Sequence, residues 1–136
     1  MEPRNKRNTK GGIMSKQSKN KWLAKPEKHD YPAAVSYLSL IYDEKIAGKY
    51  AQALAKAPMT SFKAKDIFRA SRLPLLGTTN SHVRKNQKKL VAGKKLSPLL
   101  LIRDPSHGKL VIADGYHRMC AVYLVDEDSP VPCKIV

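Results

Sequence analysis

The chain has 136 residues, which is enough for one domain with a single modest core. Its 26 Lys and Arg residues outnumber 11 Asp and Glu residues, and this excess favours nucleic acid, nucleotides or anionic surfaces as partners. No apolar stretch approaches the roughly 20 residues of a membrane-spanning helix, and the basic N-terminus lacks the apolar centre of a signal peptide. These features exclude a membrane partner and predict a cytoplasmic protein, with Cys120 and Cys133 as reduced core thiols.

The positive charge is concentrated in two stretches. Residues 1–28 hold nine basic and two acidic residues, and residues 61–95 hold ten basic and one acidic. Because residues 1–28 are polar and poor in large apolar side chains, we predict a disordered basic arm that contacts phosphates or only solubilises the chain. Trp22 is the exception, and we expect it to dock on the domain rather than stack on a base.

Residues 29–58 have the pattern of a helical segment. Asp30 is suited to cap a helix whose first turn contains Pro32, and Val35, Leu38 and Ile41 recur at helical spacing. A second helix is predicted to follow and to end near Pro58. The segment therefore precedes a separate domain over residues 59–136.

Within that domain, residues 59–66 are predicted to form a short edge strand, and residues 73–81 a loop. Asn80 or Thr79 is expected to cap a helix that ends near Gly93, with Val83, Leu90 and Val91 on one face. Its basic residues stack in i,i+4 pairs, which repel one another unless a polyanion or solvent screens them. We therefore consider nucleic acid as a ligand of this face, with a solvated face as the alternative; the residues are Arg84, Lys85, Lys88 and Lys89.

The C-terminal third alternates strand, strand, helix and strand. Residues 99–102 and 110–113 are predicted strands joined by a turn at 105–108, because each is a short apolar run bounded by turn residues. A helix is predicted from Tyr116 to about Leu124, and a final strand over residues 131–136. This order predicts an α+β fold with a small mixed β-sheet and flanking helices.

From about residue 61 to residue 136 the pattern resembles the ParB/sulfiredoxin-like superfamily. The resemblance depends on an apolar strand after Pro98, a hairpin, a Gly-x-x-Arg helix start at Gly115 and Arg118, and a closing strand. It implies a stand-alone ParB-like or nuclease-like domain, because the second nucleotide motif and the helix-turn-helix domain of partition proteins are not expected here. Tyr116 stands where sulfiredoxins carry their nucleophilic cysteine, and Cys120 lies a helical turn further on, so sulfiredoxin activity is not expected.

The Gly115–Arg118 turn is the strongest candidate site. Gly115 is expected to allow a positive φ or the close approach of a ligand. The resemblance and the helix start together imply that Tyr116, His117 and Arg118 surround a phosphate group. Arg69 and Arg72 are candidates for a second phosphate contact. In the structural alternative, Arg118 pairs with Asp126 or Glu127 and His117 simply packs.

Asp114 has two possible roles that the sequence leaves open. As an N-cap it would accept hydrogen bonds from helix amides. A carboxylate beside a phosphate repels it, however, unless a cation or proton mediates, so Asp114 is also a candidate Mg²⁺ ligand or general base. Asp104 is a candidate second carboxylate if the hairpin brings the two together.

Three functions follow from these residues. The first is a domain that binds a nucleotide or nucleic acid. The alternatives are a phosphotransferase, NTPase or nuclease that uses Asp114 with Mg²⁺ and a nucleotide, and a non-catalytic protein-interaction domain. The sequence leaves open the identity of the ligand, the choice between DNA and RNA, and the oligomeric state.

Overall fold

The computed structural model describes residues 21–136, which form five helices and four strands. In chain order they are α1 (Asp30–Leu38), α2 (Glu44–Lys56), β1 (Thr60–Lys63), α3 (Ala64–Ser71), α4 (Ser81–Val91), β2 (Leu99–Asp104), β3 (Lys109–Asp114), α5 (Tyr116–Val125) and β4 (Pro130–Ile135). The predicted α+β class is therefore confirmed, as are the strands and the helix of the C-terminal third.

The four strands form one mixed sheet with the order β1-β4-β2-β3. β1 pairs antiparallel with β4, and β2 pairs antiparallel with β3 as a hairpin. β2 and β4 are parallel, with Leu99 opposite Cys133, so that α5 is part of the crossover between them. β1 lies at the edge of the sheet, as the sequence predicts.

Helices cover both faces of the sheet, so the sheet separates two clusters of buried side chains. Leu99 and Leu101 pack in a cluster with residues of α3, α4 and α5. Leu100 and Ile102 point to the opposite face and pack with residues of α1 and α2. All four residues are fully buried, which explains why β2 is apolar at successive positions rather than at alternate ones. Cys120 and Cys133 are free thiols buried in this core, as predicted.

Residues 21–28 lie against the domain, so their predicted disorder is wrong. The amide of Leu23 donates to the carbonyl of Leu96 at 2.8 Å, and the amide of Leu96 donates to the carbonyl of Lys21 at 3.0 Å. Trp22 packs against the core cluster beneath α5, which confirms its predicted docking. These contacts hold the segment beside the first residues of β2. Residues 1–20 of the predicted arm lie outside the described residues.

Two predictions about individual helices are also wrong. Asp30 does not cap α1, because the N-cap residue of that helix is His29. The buried carboxylate of Asp30 instead accepts hydrogen bonds from the Ser97 hydroxyl and from the Glu27 amide. Val91 is 90% exposed, although Val83 on the same helix is fully buried. Leu90 follows Val83 by seven residues and shares its face, whereas one further residue turns Val91 by about 100° towards solvent.

Candidate functional site

Gly115 connects β3 to α5 in a conformation that requires glycine. It is the N-cap of α5 with φ of 110°, in the left-handed region. A Cβ atom there would lie 2.6 Å from Leu99 Cγ and 3.0 Å from Arg118 Nη2. The predicted positive φ is thus confirmed, and the atoms that approach Gly115 closely belong to the core and to Arg118.

Asp114 and Arg118 form an ion pair across this turn. Arg118 Nη2 donates to Asp114 Oδ2 at 2.7 Å, and the side chains are only 18% and 17% exposed, respectively. Burial raises the pKa of Asp114, and the neighbouring Arg118 opposes that shift. Arg118 therefore does not pair with Asp126 or Glu127, which corrects the sequence-based alternative.

Asp114 is also not the cap of α5. The N-cap residue is Gly115, which has no side chain to accept a hydrogen bond, and the Asp114 carboxylate accepts from the Arg118 guanidinium instead. The first helical hydrogen bond runs from the amide of Met119 to the carbonyl of Gly115 at 2.9 Å. The amides of Tyr116, His117 and Arg118 precede that bond, so they have no acceptor within the helix. The turn consequently presents three N–H groups and the positive end of the helix dipole.

Two imidazole rings lie beside this helix start. His117 on α5 and His82 on α4 have ring centroids 4.8 Å apart. Burial lowers the pKa of His117, and the charges of His82 and Arg118 lower it further. Sequence reasoning missed His82 because α4 and α5 are far apart in sequence. A signal was present, since each histidine is the second residue of its helix.

Tyr116 points to the loop before α4. Its hydroxyl donates to the carbonyl of Pro74, and its ring packs against the core cluster. The Tyr116 ring lies 5.5 Å from that of His117, measured between centroids. Tyr116 therefore anchors the loop before α4 through its hydroxyl.

The structure does not bring Arg72 to the turn. Its Nη2 atom lies 3.7 Å from the position that a Cβ of Gly108 would occupy, at the opposite end of β3 from Gly115. Six strand residues at about 3.3 Å each separate the two ends by roughly 20 Å. Arg69 is exposed and pairs with Asp66 at 3.6 Å. Arg72 therefore does not contribute to a phosphate site at the Gly115–Arg118 turn, and a second phosphate contact from Arg69 and Arg72 stays a prediction.

The basic residues of α4 lie on the helix that packs against α5. Arg84, Lys85 and Lys88 are exposed, and Lys89 is half-buried. Arg84 Nη1 donates to the carbonyl of Thr78 at 3.3 Å, which places this cation near the N-terminal end of α4. The predicted basic face is thus accessible and adjoins the helix that carries His117.

Asp114 is not a member of the group of metal-ligating side chains that the structure brings together, although His29 and Asp30 of that group are close enough to act on its charge. Within residues 21–136, the one group of three lies in the segment before α1 and at its start, with ligand atoms within 4.8 Å of one another; its members are Glu27, His29 and Asp30. In the strand register Asp104 lies opposite Lys109, at the end of the hairpin that carries the turn, whereas Asp114 lies opposite Leu100 at the other end. Asp104 therefore does not join Asp114 as a second metal ligand.

Comparison with known protein families, with curated proteins and with solved structures finds no match. The resemblance to the ParB/sulfiredoxin-like superfamily therefore stays a prediction from the motif. Among the described residues, no helix has both the length and the apolar character needed to cross a membrane.

Proposed function

We propose that this protein binds the phosphate group of a nucleotide or of a nucleic-acid backbone at the start of α5. The observation that carries the proposal is the first turn of α5, where the N-cap residue Gly115 supplies no side-chain acceptor and the amides of residues 116–118 precede the first helical hydrogen bond. A helix N-terminus of this kind favours phosphate through its N–H groups and its dipole. His82 and His117 add two side-chain donors beside it.

Arg118 has a different role in this proposal from the one that the motif suggests. A free carboxylate at Asp114 would repel a phosphate bound to the neighbouring amides. The Arg118 guanidinium, 2.7 Å from that carboxylate, neutralises its charge. Arg118 thus makes the turn compatible with an anion, while the amides and imidazoles supply the contacts.

The cations of α4 extend the proposal from a nucleotide to a longer polyanion. Arg84, Lys85 and Lys88 are exposed on the helix that packs beside α5. A nucleic-acid backbone that occupies the turn would relieve the repulsion between these like charges. Each phosphate that they neutralise steepens the dependence of affinity on salt.

The alternative of a Mg²⁺-dependent enzyme receives no comparable support. The Asp114 carboxylate is already bound to Arg118, and Asp104 lies at the other end of the hairpin. Metal-dependent phosphoryl transfer usually requires several oxygen ligands that converge on the metal. We therefore propose binding without a catalytic role for Asp114.

The test is a titration of ¹⁵N-labelled protein with pyrophosphate, ATP and a single-stranded oligonucleotide at low salt. We expect the amide signals of residues 116–118 to shift with all three ligands. His82→Gln and His117→Gln should each weaken binding several-fold, because each removes one charge-assisted donor. His107→Gln is the matched control, because His107 lies at the other end of the hairpin.

The affinity should also rise as the pH falls. His117 has a lowered pKa in the free protein, and a bound phosphate would raise it, so binding takes up a proton. The gain should begin as the pH falls through the pKa of His117 in the complex, level off below its lowered pKa in the free protein, and vanish in His117→Gln. Binding that is absent at low salt, or that His82→Gln and His117→Gln leave unchanged, contradicts the proposal.

A further inference from the structure

A concave surface lies between α3 and the sheet, near the turn that joins β2 to β3 and at the opposite end of β3 from Gly115. We call it the α3 groove, and its volume is about 420 Å³. Its floor and walls are apolar, formed chiefly by Phe62, Ile67, Ala70, Leu110 and Ile135. Small-molecule sites typically occupy about 300–1,000 Å³ and have mainly apolar linings. The groove therefore has the size and the lining of a small-ligand site.

The acidic residues that line the α3 groove already have partners. Asp104 accepts from Ser106 Oγ at 2.7 Å, and His107 Nδ1 lies 2.8 Å from its other oxygen. Asp66 pairs with Arg69 at 3.6 Å. Asp104 stays ionised, but its hydrogen bonds are directed to the turn residues, and Asp66 is directed to Arg69, so within residues 21–136 neither carboxylate forms an ion pair with a cation that lines the groove.

The basic residues that line the groove, in contrast to its acidic residues, form no ion pair within residues 21–136. They are Arg103 and Lys109. Arg103 is close enough to Cys133 to oppose the rise in the pKa of that buried thiol. Because Cys133 packs in the cluster beneath α3, the charge of Arg103 acts on the α3 side of the sheet.

Arg72 adds a third cation at the rim. It ends α3 with φ of 59°, a left-handed conformation in which glycine is the usual residue. Its guanidinium lies against Gly108, which is itself part of the groove. The chain thus holds an arginine in a backbone conformation that disfavours it, with its charge directed to the groove.

We propose that the α3 groove binds a small amphipathic anion, a free organic molecule with an apolar body and a single carboxylate or sulfonate group. The apolar walls would bury the body of such a molecule. Arg103 and Lys109, which form no ion pair within residues 21–136, would bind its anionic end together with Arg72. This site is independent of the phosphate site at α5, from which it is separated by the length of β3.

The experiment compares two fluorescent probes that share one aromatic body. 1-Anilinonaphthalene-8-sulfonate carries the anionic group, and N-phenyl-1-naphthylamine lacks it. We expect the sulfonate to bind the wild-type protein with one site per chain and the neutral amine to bind more weakly. Arg103→Gln should weaken binding of the sulfonate about tenfold, because it removes one charge-assisted hydrogen bond, and should leave the neutral probe unaffected.

Three further variants separate this site from other surfaces. Ala70→Trp fills the groove from an exposed position on α3 and should abolish binding of both probes. Arg72→Gly relaxes the left-handed backbone, so it should weaken the sulfonate without loss of fold. Lys49→Gln removes an exposed cation on α2, on the opposite face of the sheet, and should change the affinity of neither probe. Equal sulfonate affinity in wild type and Arg103→Gln, or sulfonate binding that survives Ala70→Trp, overturns the proposal.

Discussion

At each end of β3 a turn combines an aspartate, a histidine and a glycine of positive φ: Asp104, His107 and Gly108 at one end, and Asp114, Gly115 and His117 at the other. The two carboxylates nevertheless shift in opposite directions. Hydrogen bonds from Ser106 and then His107 lower the pKa of Asp104 to about 2. Burial dominates at Asp114 and raises its pKa, although Arg118 is bound to it.

The two shifts have different causes: hydrogen bonds outweigh burial at Asp104, whereas burial outweighs the Arg118 guanidinium at Asp114. Asp104 is approached by three side chains, those of Ser106, His107 and Tyr42. Asp114 has one, the guanidinium of Arg118, which cannot fully offset the loss of water. The same residue types therefore form a turn with a multiply hydrogen-bonded carboxylate at one end of β3, and a largely buried Asp114–Arg118 ion pair at the other.

The largest expected effect comes from breaking the backbone of the α5 turn. Gly115→Ala places a Cβ atom 2.6 Å from Leu99 Cγ at φ of 110°, so we expect a loss of about 3 kcal/mol in the free energy of unfolding. Gly108→Ala is the control, because its Cβ would meet only Arg72 at 3.7 Å; the cost there should be about 1 kcal/mol. Urea denaturation measures both, and equal losses would contradict the role given to Leu99.

A smaller effect is expected from the ion pair itself. Asp114→Asn leaves the largely buried guanidinium of Arg118 without its anionic partner, so the free energy of unfolding should fall by about 2 kcal/mol. The double variant Asp114→Asn with Arg118→Gln should recover part of that loss, because no unpaired charge remains. Urea denaturation of the single and double variants tests this coupling, and strict additivity of their effects would disprove it.

The smallest effects are in the titration of the two carboxylates. Asp104 stabilises the fold above its unfolded pKa of 3.8, and that contribution is lost as the pH falls towards about 2. Asp114 acts with the opposite sign, since its raised pKa favours proton uptake by the folded state as the pH falls. Carboxyl ¹³C chemical shifts followed between pH 2 and pH 7 should resolve the two residues, one titrating below 3.8 and the other above it. Identical midpoints would remove the contrast between the turns.

The sequence predicts the hairpin and α5 well because their signals are local. Short apolar runs, turn residues and a glycine before a helical pattern are sufficient for β2, β3 and the positive φ of Gly115. The partner of Arg118 was not predicted, although Asp114 lies four residues before it. The i,i+4 rule applies within a helix, whereas Asp114 ends a strand and meets Arg118 only because Gly115 reverses the chain.

Long-range contacts account for the remaining differences. His82 reaches His117 through the packing of α4 on α5, and Arg72 reaches Gly108 through the packing of α3 on β3. Neither contact leaves a periodic trace in the sequence, because the partners lie on different elements. Side-chain contacts between different elements are therefore the part of this molecule that the sequence predicts least.

The docked segment before α1 has a consequence for spectroscopy. Trp22 is the chain's only tryptophan, and it lies in that segment rather than in a strand or helix of the domain. The Glu27 amide donates to Ser97 Oγ across 70 positions of sequence, so docking of the segment closes a long loop. Because Trp22 packs against the core cluster, its fluorescence should change both when this segment detaches and when the core unfolds, and a far-ultraviolet probe of the β-sheet is needed to tell the two events apart.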